Sequence, residues 1–272
     1  MNQTFSTPKP ISLFVELRAG DLVVHTADTT ETVVDVAGEH ADGVRVDQHG
    51  DEITVVGRLG SGFFGSSRPA SVRVTMPHDS RLTTKLGSAD VRVEGRLGES
   101  LLRSGSGDIR VDELAGQSSV ETGSGDVTVG SATATLQVKC GSGDVVLERL
   151  GGPTQVATGS GDVLVGANRE PVTVRSGSGD LRVREAHADV SLANASGDLV
   201  VDVIHRGRLS ARNASGSIFV GVPGGIPVWT DISSLSGTVR SDLEGVGEPA
   251  EGQEYLELRA TTVSGDVQLA QR

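Results

Sequence analysis

One four-residue phrase, Gly-Ser-Gly-Asp, recurs through the middle of this 272-residue chain at a fixed spacing of 18 residues. The complete copies begin at Gly105, Gly123, Gly141, Gly159 and Gly177. A degraded copy ends at Asp90 and another at Asp198, and both keep the same spacing. A fixed period of this kind predicts a repeat architecture in which each unit buries its apolar face against its neighbours.

Small or apolar residues alternate with polar ones on both sides of each phrase. Before Gly123 the alternating positions are Ser118, Val120 and Thr122, and after Asp126 they resume at Val127. Alternation with a period of two is typical of a strand with one buried face. The alternating runs before and after the phrase are out of phase by one residue. This predicts two strands in each repeat, with a bend or bulge between them.

The phrase itself is expected to form the corner between the two strands. Glycine suits a bend because it adopts positive φ without a Cβ clash, and we expect the second glycine of each phrase to need such a φ. The Asp and Ser side chains can then hydrogen-bond the backbone of their own turn. The predicted corner residues are Gly107, Asp108, Gly125, Asp126, Gly143, Asp144, Gly161, Asp162, Gly179 and Asp180.

Two strands and two corners per repeat predict an all-β fold, a single-domain β-solenoid. We expect a right-handed β-helix with about 18 residues per coil and a parallel stacking distance of about 4.8 Å. An antiparallel meander is the alternative, but it gives no reason to repeat one corner type. Residues 1–75 are expected to form an N-terminal β cap of irregular coils or hairpins, 76–221 the regular solenoid, and 222–272 irregular coils and a cap. Within the last part, residues 255–272 would supply the closing coil.

Composition limits the partners that this chain can bind. The net charge of −12 and the pI near 4.9 argue against nucleic acid and against an anionic membrane surface. There is no run of about 18 apolar residues and no signal-peptide pattern, which predicts a cytoplasmic protein without direct membrane insertion. The single cysteine, Cys140, falls on an inward position and is expected to be a small core residue.

No pattern of catalytic or cofactor-binding residues emerges. One Asp per corner supplies too few oxygens for the about six to eight that Ca²⁺ requires, so we expect no metal. The histidines lie outside the glycine phrases, without metal-ligand spacing and without matching the repeated serines. We therefore expect no catalytic residues, no cofactor and no enzyme activity.

Two apolar features are candidates for an interaction patch. Val146, Leu164 and Val200 fall on outward positions of one ladder, where polar residues are expected. Phe63 and Phe64 lie in a glycine- and serine-rich loop. The ladder residues either form an exposed contact surface or lie under the N-terminal segment, and the two phenylalanines either dock on a partner or fold back onto the cap.

Nearly the whole chain resembles a bacterial β-strand-repeat family labelled as candidate adhesins or as a domain of unknown function. The resemblance rests on the repeated Gly-Ser-Gly-Asp phrase, with the next strand opening directly after the Asp. Residues 5–21 and 228–243 are similar to the actinobacterial branch of that family. The resemblance implies a β-helix without a known catalytic site.

These observations leave two hypotheses about function. The first is a non-enzymatic scaffold or binding module, adhesin-like, that self-associates or holds a protein partner. The second is a β-helix that binds a polymer or carbohydrate. The second needs a groove lined with aromatic residues, and the presence of a single Trp and a single Tyr argues against such a groove.

Overall fold

The computed structural model of the chain describes residues 1–38, 43–57, 70–245, 247 and 255–272. Its strands form two compact units, Met1–Gly143 and Asp144–Arg272. Both are built from stacked β coils, which confirms the predicted all-β solenoid. No helix among the described residues has the length and apolarity needed to span a membrane. The expected handedness and the predicted divisions at residues 75 and 221 stay predictions.

The regular part of the first unit is a parallel stack. Its described strands are β1 (Asn2–Ser6), β2 (Ser12–Ala27), β3 (Glu31–Ala37), β4 (Val44–His49), β5 (Glu52–Gly57), β6 (Ala70–Pro77), β7 (Arg81–Leu97), β8 (Ser100–Ser104), β9 (Ile109–Leu114), β10 (Ser118–Thr122), β11 (Val127–Ala132) and β12 (Leu136–Cys140). In this stack Val120 of β10 lies opposite Leu102 of β8 and Val138 of β12, so one repeat is one coil. Strands β7, β9 and β11 stack in the same direction. The parallel register excludes the antiparallel meander for these repeats.

The inward positions predicted from the alternation are buried. Leu102, Val120 and Val138 form one continuous column of side chains that solvent does not reach. Burying each such side chain contributes roughly 1.5–3 kcal/mol, so these columns are the main source of stability along the coil axis. Cys140 is buried at the end of its strand, as predicted.

The N-terminal end of the first unit is built out of sequence order. Strand β2 pairs in parallel with β7 on one side. On its other side the first half of β2 pairs with β5 and the second half with β6, also in parallel. The coil beyond β2 is therefore made of β5 and β6, which come later in the sequence.

Antiparallel strands cover that outer coil. Strand β4 pairs with β5, β3 pairs with β6, and β1 pairs with β3. An antiparallel strand satisfies the exposed backbone edge without beginning another coil, which is how a sheet edge is protected. The sequence indicated either irregular coils or hairpins for this cap, and the structure contains both.

The second unit repeats the parallel arrangement. Its described strands are β13 (Val145–Leu150), β14 (Thr154–Ser160), β15 (Val163–Asn168), β16 (Val172–Ser178), β17 (Leu181–Ala186), β18 (Val190–Ser196), β19 (Leu199–Ile204), β20 (Gly207–Ser215), β21 (Ile218–Val222), β22 (Val228–Ser236), β23 (Val239–Ser241), β24 (Leu256–Ser264) and β25 (Val267–Gln271). Leu147, Val165, Val183 and Val201 lie opposite one another in successive strands of one ladder. All four are buried.

The C-terminal end is also built out of order, and here one prediction is wrong. Strand β24 lies between β20 and β22, and β25 lies between β21 and β23. The outermost coil is therefore β22 with β23, and residues 255–272 fill the position before it. Leu256, Leu258 and Ala260 of β24 are buried, whereas Thr230 of β22 is exposed. The more apolar strand thus takes the position that is covered on both sides.

Candidate functional site

The repeated aspartates connect neighbouring coils. In the first unit the backbone N–H of Asp126 donates a hydrogen bond to Oδ1 of Asp108 at 3.0 Å, one coil earlier. In the second unit the N–H of Asp180 donates to Oδ1 of Asp162 at 2.8 Å, and that of Asp198 donates to Asp180 at 2.8 Å. The sequence predicted bonds within one turn, and these bonds run between coils instead. The part of the chain that the structure describes contains no cluster of three or more His, Cys, Asp or Glu residues that could hold a metal.

The glycines of the phrase adopt two different corner geometries. In the second unit Gly161, Gly179 and Gly197 have φ of +119°, +111° and +123°, in the region that favours glycine. In the first unit the equivalent Gly107, Gly125 and Gly143 do not have positive φ, so the prediction of positive φ in every phrase is wrong there. These positions need glycine for another reason, because an ideal Cβ on Gly143 would lie 2.1 Å from the carbonyl oxygen of Gly125. The same four-residue phrase therefore forms two different corner conformations. In both of them the glycine lies close to the backbone of the preceding coil.

The inward side chain just before each phrase changes its hydrogen-bonding role between the two corners. In the first unit the hydroxyl of Thr122 accepts a bond from the N–H of Gly125 at 3.1 Å and donates to the carbonyl of Gly107 at 3.4 Å. In the second unit the hydroxyl of Ser176 donates to the carbonyl of Ser178 at 2.8 Å. Both hydroxyls therefore bond to corner backbone groups, Thr122 as acceptor and donor and Ser176 as donor. The repeated aspartates and the hydroxyl groups just before the phrases thus have structural roles at the corners.

The predicted ladder patch lies on the outer face of the second unit. Val146 lies opposite Leu164, Leu164 opposite Arg182, and Arg182 opposite Val200. Val146, Leu164 and Val200 are half-buried. Arg182 interrupts the apolar row, and its guanidinium donates to both carboxylate oxygens of Asp202 at 2.9 and 3.0 Å. The other two predicted patch residues, Phe63 and Phe64, lie outside the described residues.

A second apolar surface, which the sequence did not indicate, lies at the C-terminal end. Leu235 is 83% exposed and Trp229 is 47% exposed, both on β22 of the outermost coil. Val239 on β23 and Val263 on β24 are also exposed. Exposed large apolar residues that cluster at one end of a molecule mark candidate interaction sites.

Beside this edge lies a groove of 620 Å³ that contains both the single Trp and the single Tyr of the chain. Trp229 and Tyr255 line it together with Arg208, Glu257 and Arg259. The register brings the charged residues to Trp229, because Arg208, Glu257 and Trp229 are opposite one another on β20, β24 and β22. The out-of-order insertion of β24 therefore creates the groove.

The polar residues of the groove form one connected cluster. Arg208 Nε donates to Glu257 Oε2 at 2.6 Å, and an Arg259 terminal nitrogen donates to Glu257 Oε1 at 2.8 Å. The Arg259 guanidinium also lies over the Trp229 ring, 5.3 Å from its centroid, as a cation–π pair. Glu257 is thereby held between two arginines, and one of them is fixed against the indole.

The chain matches a known protein family. The family described as Toastrack DUF4097 matches residues 12–184 and again residues 166–270. The two matched stretches together include most of both units. No curated protein matches this chain.

Several solved structures are similar along nearly the whole chain. A candidate lipid-binding protein from Parabacteroides distasonis ATCC 8503 is 14% identical, with 99% of this chain and 96% of that one covered and a TM-score of 0.47. A candidate adhesin from Bacteroides fragilis NCTC 9343 is 10% identical, with 100% and 96% covered and a TM-score of 0.35. A candidate cell adhesion protein from Clostridium sporogenes ATCC 15579 is 11% identical, with 100% and 99% covered and a TM-score of 0.23. Such low identities and TM-scores carry no argument about function.

Proposed function

The chain belongs to the Toastrack DUF4097 family, and we propose that it is a non-enzymatic, adhesin-like β-solenoid scaffold that associates with a second copy of itself. The contact would be strand addition at the outer edge of β22. The observation that supports this is the position of β22, whose only described partner strand is β24. An open strand edge with apolar side chains beside it is a template for pairing with another chain.

Backbone alternation indicates which groups of β22 face the open edge. The N–H of Leu256 on β24 donates to the carbonyl of Pro227 at 2.9 Å. In a parallel ladder, successive residues direct their backbone groups alternately to the two sides of the strand. The backbone groups of Trp229 and Asp231 are then directed at β24, and those of Thr230 and Ile232 at the open edge.

The sequence of β22 is compatible with antiparallel pairing to its own copy. With Ile232 opposite Ile232 on a two-fold axis, Trp229 lies opposite Leu235 and Asp231 lies opposite Ser233. This register pairs the two large exposed apolar residues and keeps the two Asp231 carboxylates from facing each other. An isologous contact of this kind closes a dimer and does not propagate into a fibre.

The roles of the repeated polar residues support a non-enzymatic scaffold. The corner aspartates accept backbone hydrogen bonds from the next coil, as Asp162 does from Asp180. The inward hydroxyls bond to corner backbone groups, as Ser176 does. The regularly spaced aspartates are therefore explained by the stacking of coils.

The test compares Thr230→Pro with Thr230→Val. Proline removes the edge-facing N–H of Thr230 and leaves the bonds between β22 and β24 in place, since edge strands tolerate proline. Valine keeps the N–H and serves as the matched control. We expect sedimentation velocity to show concentration-dependent dimers for the wild type and Thr230→Val, and monomers for Thr230→Pro. A wild type that stays monomeric over a wide range of concentration, or equal dimerisation of both variants, would contradict the proposal.

A further inference from the structure

We infer that the groove formed by Trp229, Tyr255, Arg208, Glu257 and Arg259 is a binding site for a neutral saccharide. This goes beyond self-association. The groove extends from Trp229 toward the inner coils, whereas the proposed dimer contact approaches Trp229 from the open edge of β22, so Trp229 borders both surfaces and the other groove residues border only the groove. Its volume of 620 Å³ falls within the range of about 300–1,000 Å³ that small-molecule sites occupy. That size accommodates a short saccharide.

The aromatic side chains supply the apolar part of the site. Trp229 is 47% exposed and Tyr255 is 52% exposed, although side chains of this size are mostly buried in soluble proteins. A pyranose ring has an apolar face of C–H groups, and a rigid aromatic side chain offers a flat apolar surface for it to cover. Tyr255 adds a hydroxyl that can donate and accept hydrogen bonds.

The charged cluster supplies fixed donors and acceptors. The Glu257 side chain is only 14% exposed and both of its oxygens bind arginines, so its position is determined before any ligand arrives. The side chains of Arg208 and Arg259 are more than half exposed, and each guanidinium has more N–H donors than its contact with Glu257 uses. Donors that are already held in place lose little conformational freedom on binding.

Charge balance indicates that the ligand is neutral. The groove lining has two arginines and one carboxylate, Glu257, which is paired with both. Asp231 lies outside the lining but opposite Arg259 in the β22–β24 register, and counting it makes the local formal charge zero. The chain as a whole carries a net charge of −12, which repels anions over a longer range. A site with aromatic surfaces, mixed donors and acceptors and no excess positive charge suits hydroxyl groups better than a phosphate or a carboxylate.

The single Trp makes the site directly measurable, because all indole fluorescence comes from Trp229. The wild type would be titrated with neutral hexasaccharides of glucose, mannose and N-acetylglucosamine, and with polygalacturonate as the anionic comparison. We expect a saturable change in Trp229 emission with at least one neutral hexasaccharide and none with polygalacturonate. Tyr255→Ala and Arg208→Met should each raise the Kd about tenfold or more.

Two further variants serve as controls. Tyr255→Phe keeps the aromatic ring and should bind within about threefold of the wild type, which separates stacking from a general loss of folding. Thr230→Pro should bind like the wild type, so that loss of dimers and loss of saccharide binding are distinguishable. Absence of a saturable response to every neutral hexasaccharide, equal affinity in Tyr255→Ala, or a response to polygalacturonate alone would overturn the inference.

Discussion

The backbone N–H of Asp198 donates a hydrogen bond to Oδ1 of Asp180 at 2.8 Å, and the two residues occupy the same corner of consecutive coils. The N–H of Asp180 in turn donates to Asp162. Each Asp is therefore a donor toward the preceding coil and an acceptor toward the following one. This relationship explains an Asp at every corner through coil stacking, without a bound cation.

Asp180→Ala is expected to remove one such bond and no more, because the backbone N–H of residue 180 still reaches Asp162. We expect a loss of about 1 kcal/mol in the free energy of unfolding, since the bond is charge-assisted but exposed to solvent. Asp180→Asn keeps a side-chain oxygen in the same place and should lose less than half as much. Urea denaturation of the three proteins measures this, and equal losses in the two variants would contradict the acceptor role.

Gly143→Ala should be destabilising although the φ of Gly143 is ordinary. An ideal Cβ there would lie 2.1 Å from the carbonyl oxygen of Gly125, so the coils must separate, and we expect a loss of about 3 kcal/mol or more. Gly50→Ala isolates the effect of positive φ, because Gly50 has φ +63° and open space around it, and it should cost about 1 kcal/mol. Gly43→Ala has neither constraint and should change stability by less than about 0.5 kcal/mol. Thermal melts rank the three, and a smaller shift for Gly143→Ala than for Gly50→Ala would refute the close-approach explanation.

Glu121→Gln should lower stability near neutral pH and lower it less in acid. Burial raises the pKa of Glu121, but hydrogen bonds from Arg103 and Lys139 lower it by more, so the pKa lies below the ordinary 4.5. A carboxyl with a depressed folded-state pKa stabilises the fold above its unfolded pKa, and this contribution is lost as the pH falls through the folded value. We expect Glu121→Gln to cost about 0.5–1 kcal/mol at about pH 7 and clearly less at about pH 3.

The matched control for that experiment is Glu170→Gln, at an exposed position without an ion pair among the described residues. Its stability should follow that of the wild type at both pH values. Urea denaturation at each pH provides the comparison. A loss in Glu121→Gln that persists undiminished in acid would show that the effect is not one of ionisation.

Leu164→Glu tests the ladder patch independently of the β22 edge. Leu164 is half-buried beside Val146, and a patch of this size supports only a weak contact. At protein concentrations above those at which Thr230→Pro sediments as a monomer, we expect light scattering of this variant to show a weak residual association. Adding Leu164→Glu should reduce that association with a small change in melting temperature. If the double variant scatters like Thr230→Pro alone, the patch is not an interface.

Much of the fold could be predicted because its causes are local. The alternation of Ser118, Val120 and Thr122 indicates which face is buried, and all three side chains are buried as expected. The corner geometry could not be predicted from the phrase, because Gly143 and Gly161 occupy identical phrases and differ in φ. The bonds of the neighbouring inward side chain differ between the two geometries: Thr122 accepts from the N–H of Gly125 and donates to Gly107, whereas Ser176 donates to Ser178.

The amino-acid sequence by itself determined the class of this protein: a period of two defines strands, and a repeat of 18 residues defines the coil. Only the tertiary structure decided the order of the coils at both ends, where β2 and β24 are inserted between strands that are distant from them in the chain. The physical reason is that the open edge of a parallel sheet accepts any strand of compatible register, so the choice depends on which strand buries more apolar surface there. At the C-terminal end β24 lies between β20 and β22, and β22 is the outermost strand. This order brings Trp229 and Tyr255, which are 26 residues apart in sequence, into one groove.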